Sequence, residues 1–275
     1  MKETGVRPAA VAGYFYPANA RKLDEMVDAF LAEVEPEGRA VRGLIAPHAG
    51  LVYSGGCAAQ VFGRVTIPAT VVILAPNHTG RCEAPGGASI WSSGAFDTPL
   101  GRVAIAEDFA RELEARSPLV DHDPQAHREE HAVEVELPFL RKLAPQSAIV
   151  PIVVAWDDWG RSQQLAAVLA ALAEEWPEDV LLVASSDMTH FDTAGRAAEK
   201  DRLALAAIER LDGEELLNVC RREQITMCGR APAAVVVEAA RRLGATRAEV
   251  VDYRHSGWVT GDESSVVAYA GVTIA

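Results

Sequence analysis

Cysteine is scarce in this 275-residue chain, and its four copies, Cys57, Cys82, Cys220 and Cys228, never fall in a CxxC pair. That spacing speaks against a zinc ribbon or a thioredoxin-type redox centre. Positive charge is scarce too: 26 Lys and Arg stand against 39 Asp and Glu, a net charge of −13. Nucleic-acid binders carry a basic face, so no nucleic-acid partner is predicted. The acid is spread over predicted helix surfaces such as Glu107, Asp108, Glu112 and Glu114, as on a solvated exterior. No apolar run reaches the length needed to cross a bilayer. Met1-Lys-Glu-Thr-Gly-Val-Arg7 lacks the apolar core of a signal peptide. The expectation is a soluble, cytoplasmic protein with no membrane partner and reduced thiols. Gly55-Gly56 is followed by no Gly-Lys-Ser/Thr, so it is no phosphate loop. Ser185-Ser186 lacks the glycines of a nucleophile elbow. Repeats, low-complexity segments and a linker are also missing; the softest stretch, Arg81-Cys-Glu-Ala-Pro-Gly-Gly87, is loop-sized. One domain spanning 1–275 is expected. At that size it buries about three quarters of its unfolded surface without a disulfide or structural metal.

What the chain does have is three apolar runs that each stop just before a histidine. They are Val41–Ala46 before His48, Val71–Ala75 before His78, and Val180–Ala184 before Asp187 and His190. Continuous apolar runs of this length predict strands covered on both faces. Between them lie helical patterns. Asn19 caps a helix over Arg21–Leu31, with Leu23, Met26, Val27, Phe30 and Leu31 on one face. Further helices are predicted over 57–62, 107–115, 132–143 (kinked at Pro138), 162–173, 194–211, 214–221 and 231–243. Further strands are predicted at 88–91, 102–105, 148–154, 248–254 and 265–274. The alternation predicts an α/β fold: a mixed, largely parallel central sheet flanked by helices. Ligands of such sheets bind beyond the carboxyl ends of the strands. One sheet edge would then gather His48, His78, Asp187 and His190.

His48 and His78 sit in similar Pro-containing turns, Ala46-Pro-His-Ala-Gly50 and Ala75-Pro-Asn-His-Thr-Gly80. Imidazole suits iron, zinc, copper or nickel. Cys228, in a turn before a helix where a thiolate is favoured, can supply a third ligand and leave an open position, as catalytic metals have. Cys57 and Cys220 lie in apolar helical surroundings and read as core filler. In Asp187-Met-Thr-His190 the acid can orient the imidazole, which then acts as general acid or base; the alternative is a helix cap beside an incidental histidine. His127-Arg-Glu-Glu130-His131 matches H-x-x-E-H, the inverted zinc-protease signature, but its place at a helix start sets His127 in the preceding loop. Glu130 and His131 can still reach the cleft, or be early-helix residues.

These motifs together resemble the Memo family, also found as component B of the AmmeMemoRadiSam set. The resemblance runs from Arg7-Pro-Ala-Ala-Val-Ala-Gly-Tyr-Phe-Tyr-Pro17 through Ala46-Pro-His-Ala-Gly-Leu-Val-Tyr53-Ser-Gly55 and Ala75-Pro-Asn77-His78. It continues through Glu130-His-Ala-Val-Glu-Val-Glu-Leu-Pro-Phe139, Ser185-Ser-Asp-Met-Thr-His190 and Cys228-Gly-Arg230 to Ser256-Gly and Gly261-Asp262. The family is similar in fold to the class III extradiol ring-cleaving dioxygenases, which hold Fe(II) with two histidines and a carboxylate. The resemblance implies His48 and His78 as ligands, His190 as the acid–base residue, and Cys228 where a carboxylate would stand. A thiolate there implies altered iron redox behaviour. It also implies Fe(II), or Cu or Zn, as cofactor, with Tyr53, Asn77, Glu130 and His131 in the pocket. The implied partners are a small-molecule or peptide ligand and AMMECR-type and radical-SAM proteins of the same set. Since a human member is linked to phosphotyrosine-peptide binding, two functions follow: a metal-dependent redox or oxygen-using enzyme, or a non-enzymatic metal- or peptide-binding module.

Overall fold

The computed structural model describes residues 5–275. Met1 to Thr4, part of the stretch read against a signal peptide, lie outside the described residues. In chain order the first elements are β1 (Val6–Arg7), α1 (Ala20–Leu31), β2 (Gly43–Ala46), α2 (Leu51–Phe62), β3 (Thr70–Pro76), β4 (Ala88–Ile90), β5 (Ala95–Phe96) and β6 (Val103–Ala104). Next come α3 (Glu107–Arg116), β7 (Val120–His122), α4 (Pro124–His127), a 3₁₀ turn (Glu134–Glu136), α5 (Leu137–Leu143), β8 (Ala148–Val154), α6 (Trp159–Glu175) and β9 (Val180–Ser185). The last are β10 (His190–Asp192), α7 (Ala194–Glu209), α8 (Gly213–Arg222), α9 (Arg230–Arg242), β11 (Ala248–His255), α10 (Gly257–Thr260) and β12 (Val266–Ile274).

The main sheet runs β10-β12-β2-β9-β3-β8-β4-β7, with β11 paired to β12. Its centre, β2-β9-β3-β8, is parallel; β12 against β2 and β4 against β8 are antiparallel. A small second sheet joins β1, β5 and β6. Alternation along each central strand explains the unbroken apolar runs. In β3, Val72 and Leu74 face one core while Val71, Ile73 and Ala75 face the other. In β9, Leu182 and Ala184 oppose Leu181 and Val183 in the same way. Side chains of α3, α6, α7, α8 and α9 fill the first core, and those of α1, α2 and α5 the second. Asn19 accepts from the Lys22 amide and starts α1, whose Leu23 and Val27 are fully buried.

Three expectations need correction. The 132–143 segment is not one kinked helix. It is a 3₁₀ turn followed by α5, and Pro138 lies in the first turn of α5, where its missing N–H costs no hydrogen bond. The helix expected over 57–62 begins at Leu51. Its Gly55 and Gly56 are packing residues: a Cβ there would collide with the Phe30 ring and the Arg254 guanidinium. The strand expected from Val41 begins at Gly43.

Candidate metal centre

Because β2, β9 and β3 are parallel neighbours, their carboxyl ends open on one edge. The loops leaving that edge carry His48, Asp187 and His78 respectively, and His190 opens β10 just beyond Asp187. The ring centroids of His48 and His78 are 5.1 Å apart. The third imidazole between them is His131, whose centroid lies 5.4 Å from His48 and 4.6 Å from His78. One ligand nitrogen from each of the three lies within 4.8 Å of the other two. Cys228 joins this group through His48 alone, its Sγ 3.3 Å from Nε2. Cys228, expected as the third ligand, lies beside His48, and His131, expected only as a pocket residue, completes the three-histidine group. It is brought there by a loop that Glu130 folds back: one Glu130 oxygen accepts from the amides of His131 and Ala132 at 2.9 and 3.1 Å.

Two of the three imidazoles, His78 and His48, are held by hydrogen bonds on their far sides. His78 Nδ1 lies 2.8 Å from one Glu130 oxygen, and the His78 amide donates to the other at 2.6 Å. Burial is the largest single influence on His78 and opposes its charge, but the Glu130 hydrogen bond together with the charges of Glu130 and Asp187 outweighs it and the pKa is raised. Glu130 itself, though buried, is held ionised below its usual range by His78. His48 is fully enclosed; burial, then the neighbouring charges of His131 and His78, drives its pKa well down, so it is neutral. His131 falls to about 4, mainly through burial.

The tautomer of His48 follows from counting protons. Ser185 Oγ is 2.8 Å from His48 Nδ1, 2.7 Å from the Ala132 carbonyl and 2.7 Å from Glu136 Oε1. A hydroxyl has one hydrogen and two lone pairs. Its hydrogen goes to the Ala132 carbonyl, which can only accept. Glu136 Oε1, on a carboxyl that burial pushes well above its ordinary range, lies where it too can accept that hydrogen. A lone pair on Oγ takes the His48 Nδ1–H, which leaves the Nε2 lone pair facing the cluster. His48 and His131 offer neutral nitrogens, and His78 offers one once an ion displaces its proton; imidazoles backed by carboxyl or hydroxyl partners are the donor set that borderline divalent ions take, and the residues fit such an ion.

Asp187 has a different job from the expected one. Its Oδ1 accepts the amides of His48 and Ala49 at 2.9 and 3.2 Å, so it fixes the His48 turn. Burial raises its pKa to about 6, against the pull of His190 and those amides. The His190 ring is oriented instead by Thr226: Nδ1 donates to its carbonyl at 3.1 Å, and the His190 amide donates to its hydroxyl at 2.7 Å. Nε2 of His190 makes no hydrogen bond among the described residues. The Cys228 turn is not a thiolate site without metal: burial, with Asp187 adding, pushes that thiol well up. Gly229 lets this turn lie against the end of β9, where a Cβ would collide with the Ser185 carbonyl. Asn77 braces its own loop, donating to the Arg81 carbonyl, and Tyr53 is part-exposed on the first turn of α2.

The H-x-x-E-H reading does not assemble. His127 ends α4, while His131 lies beyond it in the following loop. The Nε2 of His127 donates to the Ser89 carbonyl at 2.9 Å, and burial takes its pKa to about 4. It packs against Trp91 and Phe96 as a core histidine.

Four supporting residues have roles that the sequence does not assign. Fully buried Arg7 pairs with Glu134 and donates to the carbonyls of His127 and Glu130. Glu134 also accepts from Tyr16 and from the amides of Ala10 and Val11, which pins the N-terminal segment beneath the His131 loop. Ser185 and Glu136 complete the set. The one signal for the acids is their placement at alternate positions within the apolar run Ala132-Val-Glu-Val-Glu-Leu137.

These features define an α/β protein with a histidine cluster at the carboxyl edge of its sheet. The sequence profile described as Memo-like protein matches residues 7–273. A MEMO1 family protein of Aquifex aeolicus is 42% identical over 97% of this chain and 98% of its own. One from Methanopyrus kandleri is 37% identical over the same shares. The chain therefore belongs to the Memo family. The crystal structure of an uncharacterized protein, JW3007 from Escherichia coli K12, shares the fold, with a TM-score of 0.54 and 14% identity over 86% of this chain and 100% of that one.

Proposed function

We propose that the chain is a metal-dependent redox or oxygen-using enzyme that holds Fe(II), or Cu or Zn in its place, at His48, His78 and His131. The observation that carries this is the meeting of three imidazole nitrogens within 4.8 Å. When bound, iron would supply Lewis acidity and one-electron redox chemistry. Three protein donors leave open positions for a substrate. Ser185 and Glu130 hold the imidazoles of His48 and His78 so that their Nε2 lone pairs converge. Cys228, beside His48, adds a soft donor at the margin. His190, anchored through Nδ1 by Thr226, offers Nε2 at the rim to move a proton to or from a bound substrate.

The test is anaerobic purification with metal analysis of the wild type and of His48→Ala and His78→Ala, followed by oxygen uptake with catechols. The wild type should retain about one metal per chain and each variant far less. Equal metal in all three would overturn the assignment. A non-catalytic metal- or peptide-binding module is favoured by one other observation: Tyr14, Phe191 and Trp258 are 89%, 80% and 62% exposed, more than a site for small molecules alone requires. Stoichiometric metal without oxygen uptake on any catechol would support that second reading.

A further inference from the structure

A cavity of about 520 Å³ lies against the metal centre. That volume is in the range of small-molecule sites. Cys228, whose sulfur touches His48, forms part of its wall, as does Asn77, which precedes His78 in the chain. Trp156 and Met227 contribute apolar surface. Among the described residues, Arg230 is the one cation lining it and Asp157 the one anion. The Arg230 guanidinium is about one-third exposed, and one nitrogen, Nη2, donates to Asp157 Oδ2 at 2.8 Å. A guanidinium has five N–H donors arranged to grip a carboxylate with two of them. Most of the Arg230 donors are therefore uncommitted. The first turn of α9, a helix of 13 residues that begins at Arg230, lines the same cavity and adds the positive end of its dipole.

We infer that this cavity is a binding site for a small organic carboxylate, held by Arg230 at its polar end with its apolar body directed over Cys228 towards the three histidines. Asp157 occupies the guanidinium in the ligand's absence and gives way in part when the carboxylate arrives. That this ligand is the substrate rests on the metal reading above; that it binds does not.

The probe is benzoate, with benzamide as the uncharged molecule of the same shape. Binding is measured by calorimetry on the full chain, both metal-free and metal-loaded. Benzoate should bind at least about tenfold tighter than benzamide in the metal-free protein, since one charge-assisted contact separates the two. Arg230→Gln should erase that preference while leaving metal content unchanged. Asp157→Asn, which removes the competing carboxylate, should strengthen benzoate binding several-fold. Equal binding of the two compounds, binding of neither, or an unchanged preference in Arg230→Gln would overturn the assignment. A preference for benzoate seen only with metal present would place the carboxylate on the metal and overturn it too. Because the metal-free chain is read separately, loss of the metal reading leaves this measurement intact, and its failure leaves the metal analysis standing.

Discussion

Glu130 is buried, yet its two oxygens take four hydrogen bonds: the amide and ring of His78, and the amides of His131 and Ala132. It therefore sets two of the three imidazoles at once. Glu130→Gln replaces one acceptor by a donor, which faces donors already in place. Metal affinity should fall about 10–100-fold, the usual cost of losing such a partner. Competition with a chelator measures this, and circular dichroism checks the fold. Glu136 makes a different prediction. Its folded pKa is raised above the unfolded value of about 4.3. As pH climbs past that value the unfolded chain releases its proton first, so stability falls as pH rises. Glu136→Gln keeps a hydrogen-bonding group beside Ser185 and removes the titration. The variant's melting temperature should match the wild type near pH 4 and exceed it as pH rises above that; a constant difference would contradict the assignment. Neither glutamate's role was legible in the chain. His48, His78 and His190 announce themselves at strand ends, whereas the raised pKa of Glu136 is set by what encloses it, and the role of Arg7 by a partner 127 residues away.

At the scale of elements, strands buried on both faces were readable because each residue of β3 and β9 has to be apolar whichever way it points. Helices were readable where one face repeats, as in α1. The two- and three-residue strands β1, β5, β7 and β10 carry no such pattern, since hydrogen bonds to neighbours define them rather than side-chain alternation. Pro138 misled because a proline that opens a helix and one that kinks it look alike until the helix start is known. The turn before α9 is the most exacting element near the site. Gly229 also donates its amide to Ser186 at 2.9 Å. Gly229→Ala should push this turn off the end of β9 and destabilise the protein by about 1–3 kcal/mol, read by urea denaturation. Because Cys228 moves with it, the absorption of a Co(II)-substituted site should shift as well.

Over the whole molecule, the histidines at positions 48, 78 and 131 come from distant parts of the chain, so the unfolded chain has no comparable site. An ion that binds only the folded form stabilises it by mass action. At about 100 times its dissociation constant the gain is about 2.7 kcal/mol, and the melting temperature should rise with metal in the wild type but not in His48→Ala. The acid-rich exterior was legible from composition alone; the sheet order was not, because strand neighbours are chosen by long-range pairing. That order has a consequence in time. Strand β9 lies between β2 and β3, yet it is made last of the three. While the ribosome is still short of residue 185, the strands that lead to His48 and His78 are both complete, and the strand that spaces them does not exist. The earlier two therefore have to wait, or pair wrongly and part again, and the nascent protein passes through synthesis without a metal centre until its first two thirds have emerged.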